Sequence, residues 1–462
     1  MEASVAPPQE DEGWAAVTVR LVRLAWPIVL ARIGIQTMGL ADAVFVGRFS
    51  ARELGYHALG WAPTAIVLTT AVGLLMGVQV MAARRVGEGK PERAGAVLRR
   101  GLVYALLLGV GCTAALVWGG PPLLGALGLE ADLARGSGRA LQVFSLSLTP
   151  YLISVALAAW LEGLGRPRPG MWAMLWANLL NVALNFIFVP GAFGLPAGGA
   201  VGAGWATLGS RVLLAVLLAV YVWRLPEARA TGVFERPAPE PEAAAEQRRI
   251  GYGAGASYFV EAGAFLGMNV VAGWLGAREV AAWAVVLNYT ALVFMVPLGL
   301  AGATAVLVGN AYGAGDRRGV VRAAGAGFAV VTAVGAAVSL ITVPAAALIA
   351  GAYATDVALV STVAAAFVLA APYFAPDALQ AVAAQALRAR GDVLIPTGIH
   401  VLCYAVVMLP LGWWLAHPGG MGLSGCIWAV IVASFAAAGG QLGRFAWVTW
   451  RDRPLDPERL RP

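Results

Sequence analysis

Three carboxylates stand in stretches that are otherwise almost wholly apolar: Asp42, Glu261 and Asp377. Asp42 lies in TMGLADAVFVG, Thr37 to Gly47, and from Leu24 to Val46 the only other full charge is Arg32. An ionised side chain at the centre of a lipid-spanning helix costs roughly 3 kcal/mol on insertion scales. One such residue could be an interhelical hydrogen-bond anchor; three in a chain this poor in charge point to an ion or proton pathway. A carboxyl can carry a proton, and its oxygens also suit a hard cation such as Na⁺. Both chemistries stay open.

The residues around these acids extend the pattern. Tyr373 precedes Asp377 by four positions and Gln380 follows by three, so all three share one helix face. Pro376 removes a backbone donor, which frees the carbonyl of Pro372 to kink the helix or face a cation. In ANLLNVALNFIFV, Asn178, Asn181 and Asn185 form a polar stripe. Such a stripe serves equally well as a site or as glue between membrane helices. Arg32 could pair with a deep carboxylate or snorkel to a wetter level, and Arg211 shares that ambiguity. Glu162 reads as too close to a cytoplasmic end to belong with the deep acids. His57, His400 and His417 show no ligand spacing and are expected to be core or boundary residues. The Trp residues are expected to be interface anchors and packing, with a cavity lining for aromatic cations the alternative for a few of them.

Helices in lipid must position these groups. The chain has 462 residues, 60% hydrophobic and only 12% charged, about half the charge of a soluble domain. Apolar runs of about 20 residues recur from end to end, each long enough to cross the hydrocarbon layer. The net charge of +7 does not indicate nucleic acid, because the basic residues fall in loops. With the N-terminus cytoplasmic, 25 Arg and Lys lie on the cytoplasmic side, five outside and two within spans, as the positive-inside rule requires. The start of the chain carries Glu2, Glu10, Asp11 and Glu12, unlike a cleavable signal peptide. Cys112, Cys403 and Cys426 are scattered, which implies neither a disulfide framework nor a zinc site.

The expected fold is an all-α polytopic membrane protein of twelve transmembrane helices in two parallel-repeat six-helix lobes. Residues 1–20 are expected as a cytoplasmic tail, 21–224 as the first lobe, 225–250 as a cytoplasmic linker, 251–448 as the second lobe and 449–462 as a cytoplasmic tail. GRFSARELGYHALGWAPTAIVLTTAVGL from Gly47 aligns without gaps to GWLGAREVAAWAVVLNYTALVFMVPLGL from Gly273, an offset of 226. The same offset carries Gly89 onto Gly315 and Gly165 onto Gly391. An even number of spans separates the repeats, so they enter the membrane in parallel, a common carrier arrangement.

LAWPIVLARIGIQTMGLADAVFVG, NLLNVALNFIFVPG, NYTALVFMVPLG and PDALQAVAAQALRARGD resemble successive motifs of the multidrug and toxic compound extrusion (MATE) family, in its NorM-like branch. The resemblance covers nearly the whole chain in order. It implies two six-helix lobes flanking a central cavity, and a secondary active antiporter of the bacterial inner membrane that exports organic cations in exchange for H⁺ or Na⁺ by alternating access; the Arg and Lys distribution places both termini in the cytoplasm. The resemblance implies no cofactor, no enzymatic activity, no nucleic-acid partner and action as a monomer. Position by position, Asp42, Asn181, Asn185 and Thr207 match the family's amino-terminal polar site. Glu261, Tyr373 and Asp377 match its carboxy-terminal cation site, and Asn288 lies in its span-eight motif. Two departures stand out: Trp283 and Ala284 replace a frequent His-Gln pair, and Arg32 replaces an uncharged position. The rival readings are a lipid-linked oligosaccharide flippase, whose anionic cargo calls for a basic cavity, and a membrane-embedded transferase, which calls for clustered Asp or a His/Asp pair.

Overall fold

In a computed structural model, which describes residues 13–126, 128–235 and 240–451, the regular structure is entirely helical among those residues. Twelve segments are long and apolar enough to cross a membrane. They are built from α1 (Trp14–Phe49), α2 (Ala51–Gly87), α3 (Ala94–Ala126), α4 (Ala131–Leu146), α5 (Leu148–Gly163), α6 (Arg168–Phe188), α7 (Gly199–Arg224), α8 (Pro241–Leu275), α9 (Ala277–Gly313), α10 (Arg317–Tyr353), α11 (Val357–Ala370), α12 (Phe374–Ala389), α13 (Leu394–His400), α14 (Leu409–Ala416) and α15 (Leu423–Arg451). A π-helix, Val401–Met408, joins α13 to α14.

Local chemistry explains several boundaries. Ser50, Asp316 and Asp356 cap α2, α10 and α11, each accepting from the backbone N–H three residues on. The glycines that the repeat aligns are turn residues: Gly89 and Gly315 have φ 69° and 72°, Gly165 and Gly391 have 75° and 88°. Only glycine adopts this left-handed backbone without steric cost, so the repeat preserves turn geometry as well as sequence.

Two spans are broken rather than straight. The fourth changes from α4 to α5 at Ser147, and the tenth passes from α11 to α12 through a 3₁₀ turn, Ala371–Tyr373. The repeat offset carries Ser147 onto Tyr373. The tenth-span break contains Pro372, whose carbonyl Pro376 leaves without its usual helical donor.

The chain divides into two compact units, one formed by Leu30–Gly255 and the other by Ala256 onward with the residues just before Leu30. The divisions fall inside α1 and α8 and not in the 225–250 segment. In the first unit the start of α8 packs on α2, where a Cβ on Gly73 would lie 2.7 Å from the Gly255 Cα. In the second unit a Cβ on Gly299 of α9 would lie 2.8 Å from the Val29 Cα. Gly73 and Gly299, like Val29 and Gly255, are 226 positions apart, so both units use the same close helix contact.

The ends of the helices differ from the expected boundaries. α1 begins at Trp14, inside the span given to the N-terminal tail, and α8 begins at Pro241, inside the span given to the linker. The C-terminal tail beyond Arg451 lies outside the described residues. Described parts of the 225–250 segment are pinned to the first unit. Glu240 pairs with Arg85, Arg93 and Arg100, Glu246 with Arg84, and the Gly95 N–H donates to the Thr231 carbonyl at 2.7 Å.

Gly77 of α2 offers a test of this packing, since a Cβ there would collide with the Gln247 carbonyl oxygen of α8. Backbone on both sides leaves nothing flexible to yield. Gly77→Ala is expected to destabilise the protein by about 1–3 kcal/mol, the usual cost of overpacking. Thermal unfolding in detergent measures it, and an unchanged midpoint would contradict the tight α2–α8 contact.

Candidate functional site

In the first unit, α1, α6 and α7 place four polar side chains together. Asp42 is only 2% exposed. Its Oδ1 accepts from Asn181 Nδ2 at 2.9 Å and Asn185 Nδ2 at 2.6 Å, and its Oδ2 accepts from the Thr207 hydroxyl. Asn181 and Asn185 are one helical turn apart on α6 and so reach the same oxygen. Asn178, the third member of the stripe, instead donates to the Met174 carbonyl of its own helix. A buried carboxylate is costly unless hydrogen-bonded. Three donors meet that need and leave one side of Oδ2 able to face a proton or a cation. The pocket beside Asp42 is also lined by Arg211, Trp61 and Tyr151.

A second polar group in this unit involves Glu162, which the sequence reading set aside as peripheral. Glu162 is 5% exposed. It pairs with Arg32 Nη2 at 3.3 Å and accepts from Gln79 Nε2 at 2.8 Å. Arg32 thus faces an acid other than Asp42. Helix α2 covers the end of α5 closely: a Cβ on Gly163 would lie 2.6 Å from the Gln79 carbonyl. That cover is what buries an acid lying so near a span end.

In the second unit, Asp377 follows the break in the tenth span. Its Oδ1 accepts from Tyr404 at 3.2 Å and from Ser434 at 3.3 Å. Tyr404 belongs to the π-helix, an element often found at functional sites. Glu261 lies within electrostatic reach of Asp377 and Arg388, and its Oε2 is 3.9 Å from His400 Nδ1. Gln380 is fully buried next to Asp377. Tyr373 is also buried and close to Asp377, but its hydroxyl donates to Thr290 Oγ1 at 2.7 Å. Asn288 is not brought to this cluster: it is exposed and accepts from the Tyr353 hydroxyl at 3.0 Å. Trp283 is buried in the second unit's apolar core.

A family model named MatE matches residues 27–187 and again 254–414. The chain belongs to the MatE family. The two matches begin 227 residues apart, one residue from the repeat offset, so each half of this MatE protein carries the motif once. It is 56% identical over 441 residues to "Probable multidrug resistance protein NorM" of Caulobacter vibrioides, spanning 95% of this chain and 93% of that one. It is 32% identical over 412 residues to "Multidrug resistance protein PmpM" of Pseudomonas aeruginosa, spanning 87% and 85%. A solved structure, "Crystal structure of MATE in the bent conformation", superposes with a TM-score of 0.84 over 98% of this chain and 99% of that one; at 21% identity it shows the shared fold.

The remaining polar residues of this MatE protein were hidden from pattern reading. Tyr404 and Ser434 form no polar stripe with an acid of their own span, and only the approach of spans eleven and twelve to α12 brings them to Asp377. His400 is buried, as expected of a core residue, but neither ring nitrogen is hydrogen-bonded. Its position close to the polar residue Tyr404 was the available signal.

Proposed function

We propose that this chain is a multidrug efflux antiporter that exports organic cations in exchange for H⁺ or Na⁺, switching between outward and inward states. The observation that carries the reading is Asp42, a carboxylate held by three donors inside a membrane-spanning unit. A ligand shifts a two-state equilibrium only by binding the states unequally. A carboxylate contested by coupling ion and cationic cargo supplies that inequality. Family membership and the names of the relatives support the same reading. A flippase for lipid-linked oligosaccharides calls for unneutralised cationic groups, whereas Arg32 faces Glu162 and Arg211 shares its pocket with Asp42. The protein works as a monomer in the bacterial inner membrane with both termini cytoplasmic.

The two clusters divide the labour. Asp377 and Glu261, with hydroxyls around them, offer the oxygen ligands a hard cation favours. Asp42 is framed by amide and hydroxyl donors, which suits a proton. Purified protein in proteoliposomes should drive organic-cation efflux under an imposed ΔpH or ΔNa⁺. Asp377→Asn is expected to weaken Na⁺-stimulated efflux severalfold more than Asp42→Asn does, measured with each gradient alone. Absence of any Na⁺ response in wild type at every pH would make the second cluster a proton or cargo site.

A further inference from the structure

Arg211 is a buried charge to which the antiport scheme gives no part. It sits one turn beyond Thr207 on α7, so its side chain enters the pocket that Thr207 and Asp42 share. Its guanidinium carbon lies 4.6 Å from the Tyr151 ring centroid and 5.4 Å from that of Trp61. Both distances fall within the range of cation–π attraction. One N–H donates to Ser147 Oγ at 2.8 Å, at the break between α4 and α5, while Nε has no hydrogen-bond partner. A buried guanidinium is usually matched by a bidentate carboxylate; here two aromatic faces, one hydroxyl and the nearby charge of Asp42 hold it instead. Aromatic faces beside a carboxylate are what a flat, delocalised cation selects, and a guanidinium suits them better than a compact, strongly hydrated ammonium.

We propose that Trp61, Tyr151 and Asp42 form a binding site for a small planar organic cation, and that the Arg211 side chain occupies it as a tethered stand-in which cargo displaces. The proposal rests on the reading of cationic cargo and names where such cargo binds and which chemistry it presents. A tethered competitor acts at an effective concentration on the order of millimolar. It sets a threshold: weakly binding cations fail to dislodge it, and flat cations that match both rings succeed. Arg211 thereby determines specificity without taking part in ion coupling.

The test is equilibrium binding to the full-length purified protein in detergent, with no ion gradient, so its outcome is separate from whether antiport occurs. Calorimetric titration with methylguanidinium is compared for wild type, Arg211→Ala, and Arg211→Ala combined with Trp61→Leu, with methylammonium as the control cation. Removing the tether should tighten methylguanidinium binding by at least about tenfold. Adding Trp61→Leu should return binding to the wild-type level, and methylammonium should gain little. A residue that served only to hold helices together would produce no such gain. Unchanged affinity in Arg211→Ala, or a gain that survives Trp61→Leu, overturns the proposal. Should Arg211→Ala not accumulate, Arg211→Gln carries the same expectations. Failure of both to accumulate, even with methylguanidinium supplied during expression, would make the side chain structural and also overturn it.

Discussion

Asp42→Asn should leave the protein folded and inserted yet reduce cation efflux at least tenfold. The asparagine keeps a carbonyl oxygen where Oδ1 accepts from Asn181 and Asn185. Its amide nitrogen then faces the Thr207 hydroxyl, which can turn from donor to acceptor. The hydrogen-bond set therefore survives, and what is lost is charge. Two unit charges about 4 Å apart attract by about 4 kcal/mol at an effective dielectric of 20. Even after desolvation removes most of that, a residual of about 1.4 kcal/mol is a factor of ten. Efflux from proteoliposomes at matched protein content, with thermal unfolding as the folding control, measures both halves. Wild-type efflux by this variant would remove Asp42 from the mechanism.

The second large effect concerns Arg32 and Glu162. Breaking a buried ion pair from one side leaves an uncompensated charge and costs about 3–5 kcal/mol, while replacing both partners is often close to neutral. Arg32→Gln and Glu162→Gln should each lower the unfolding midpoint markedly. The double variant should recover most of the loss, because Gln79 can still bond the amide that replaces Glu162. A thermodynamic cycle on the four proteins reads the coupling directly. Additive single effects would mean that the 3.3 Å contact carries no net interaction. This prediction does not depend on which ion drives transport.

How much of this was legible in the linear chain varies by residue. Asp42 announced itself, because hydrocarbon makes any carboxylate in an apolar run expensive. The paired glycines announced the repeat, and positive φ at Gly89, Gly165, Gly315 and Gly391 supplies the reason for their spacing. Glu162 was misread for a physical reason. Depth was judged by distance along the chain from a polar loop, whereas its burial is decided by α2 crossing over the end of α5. For Asn288 the motif match left the contact partner open. A motif match carries residue identity but not helix phase, and the phase of α9 turns Asn288 toward Tyr353. His400, Tyr404 and Ser434 come from helices remote in sequence from Glu261 and Asp377, so no periodicity within one helix could unite them.

The sequence by itself determined the solvent, the helical class, the twelve spans and the twofold repetition, since hydropathy, period and turn glycines are local properties that a chain writes along its length. Tertiary structure alone decided which acid Arg32 meets, that the rings of Trp61 and Tyr151 close on Arg211, and that Asp377 is bonded by Tyr404 and Ser434 rather than by Tyr373. Those outcomes depend on how closely and at what rotation helices distant in sequence pack. Small residues such as Gly73, Gly77 and Gly299 set that approach, and their effect appears only when the partner helix is in place.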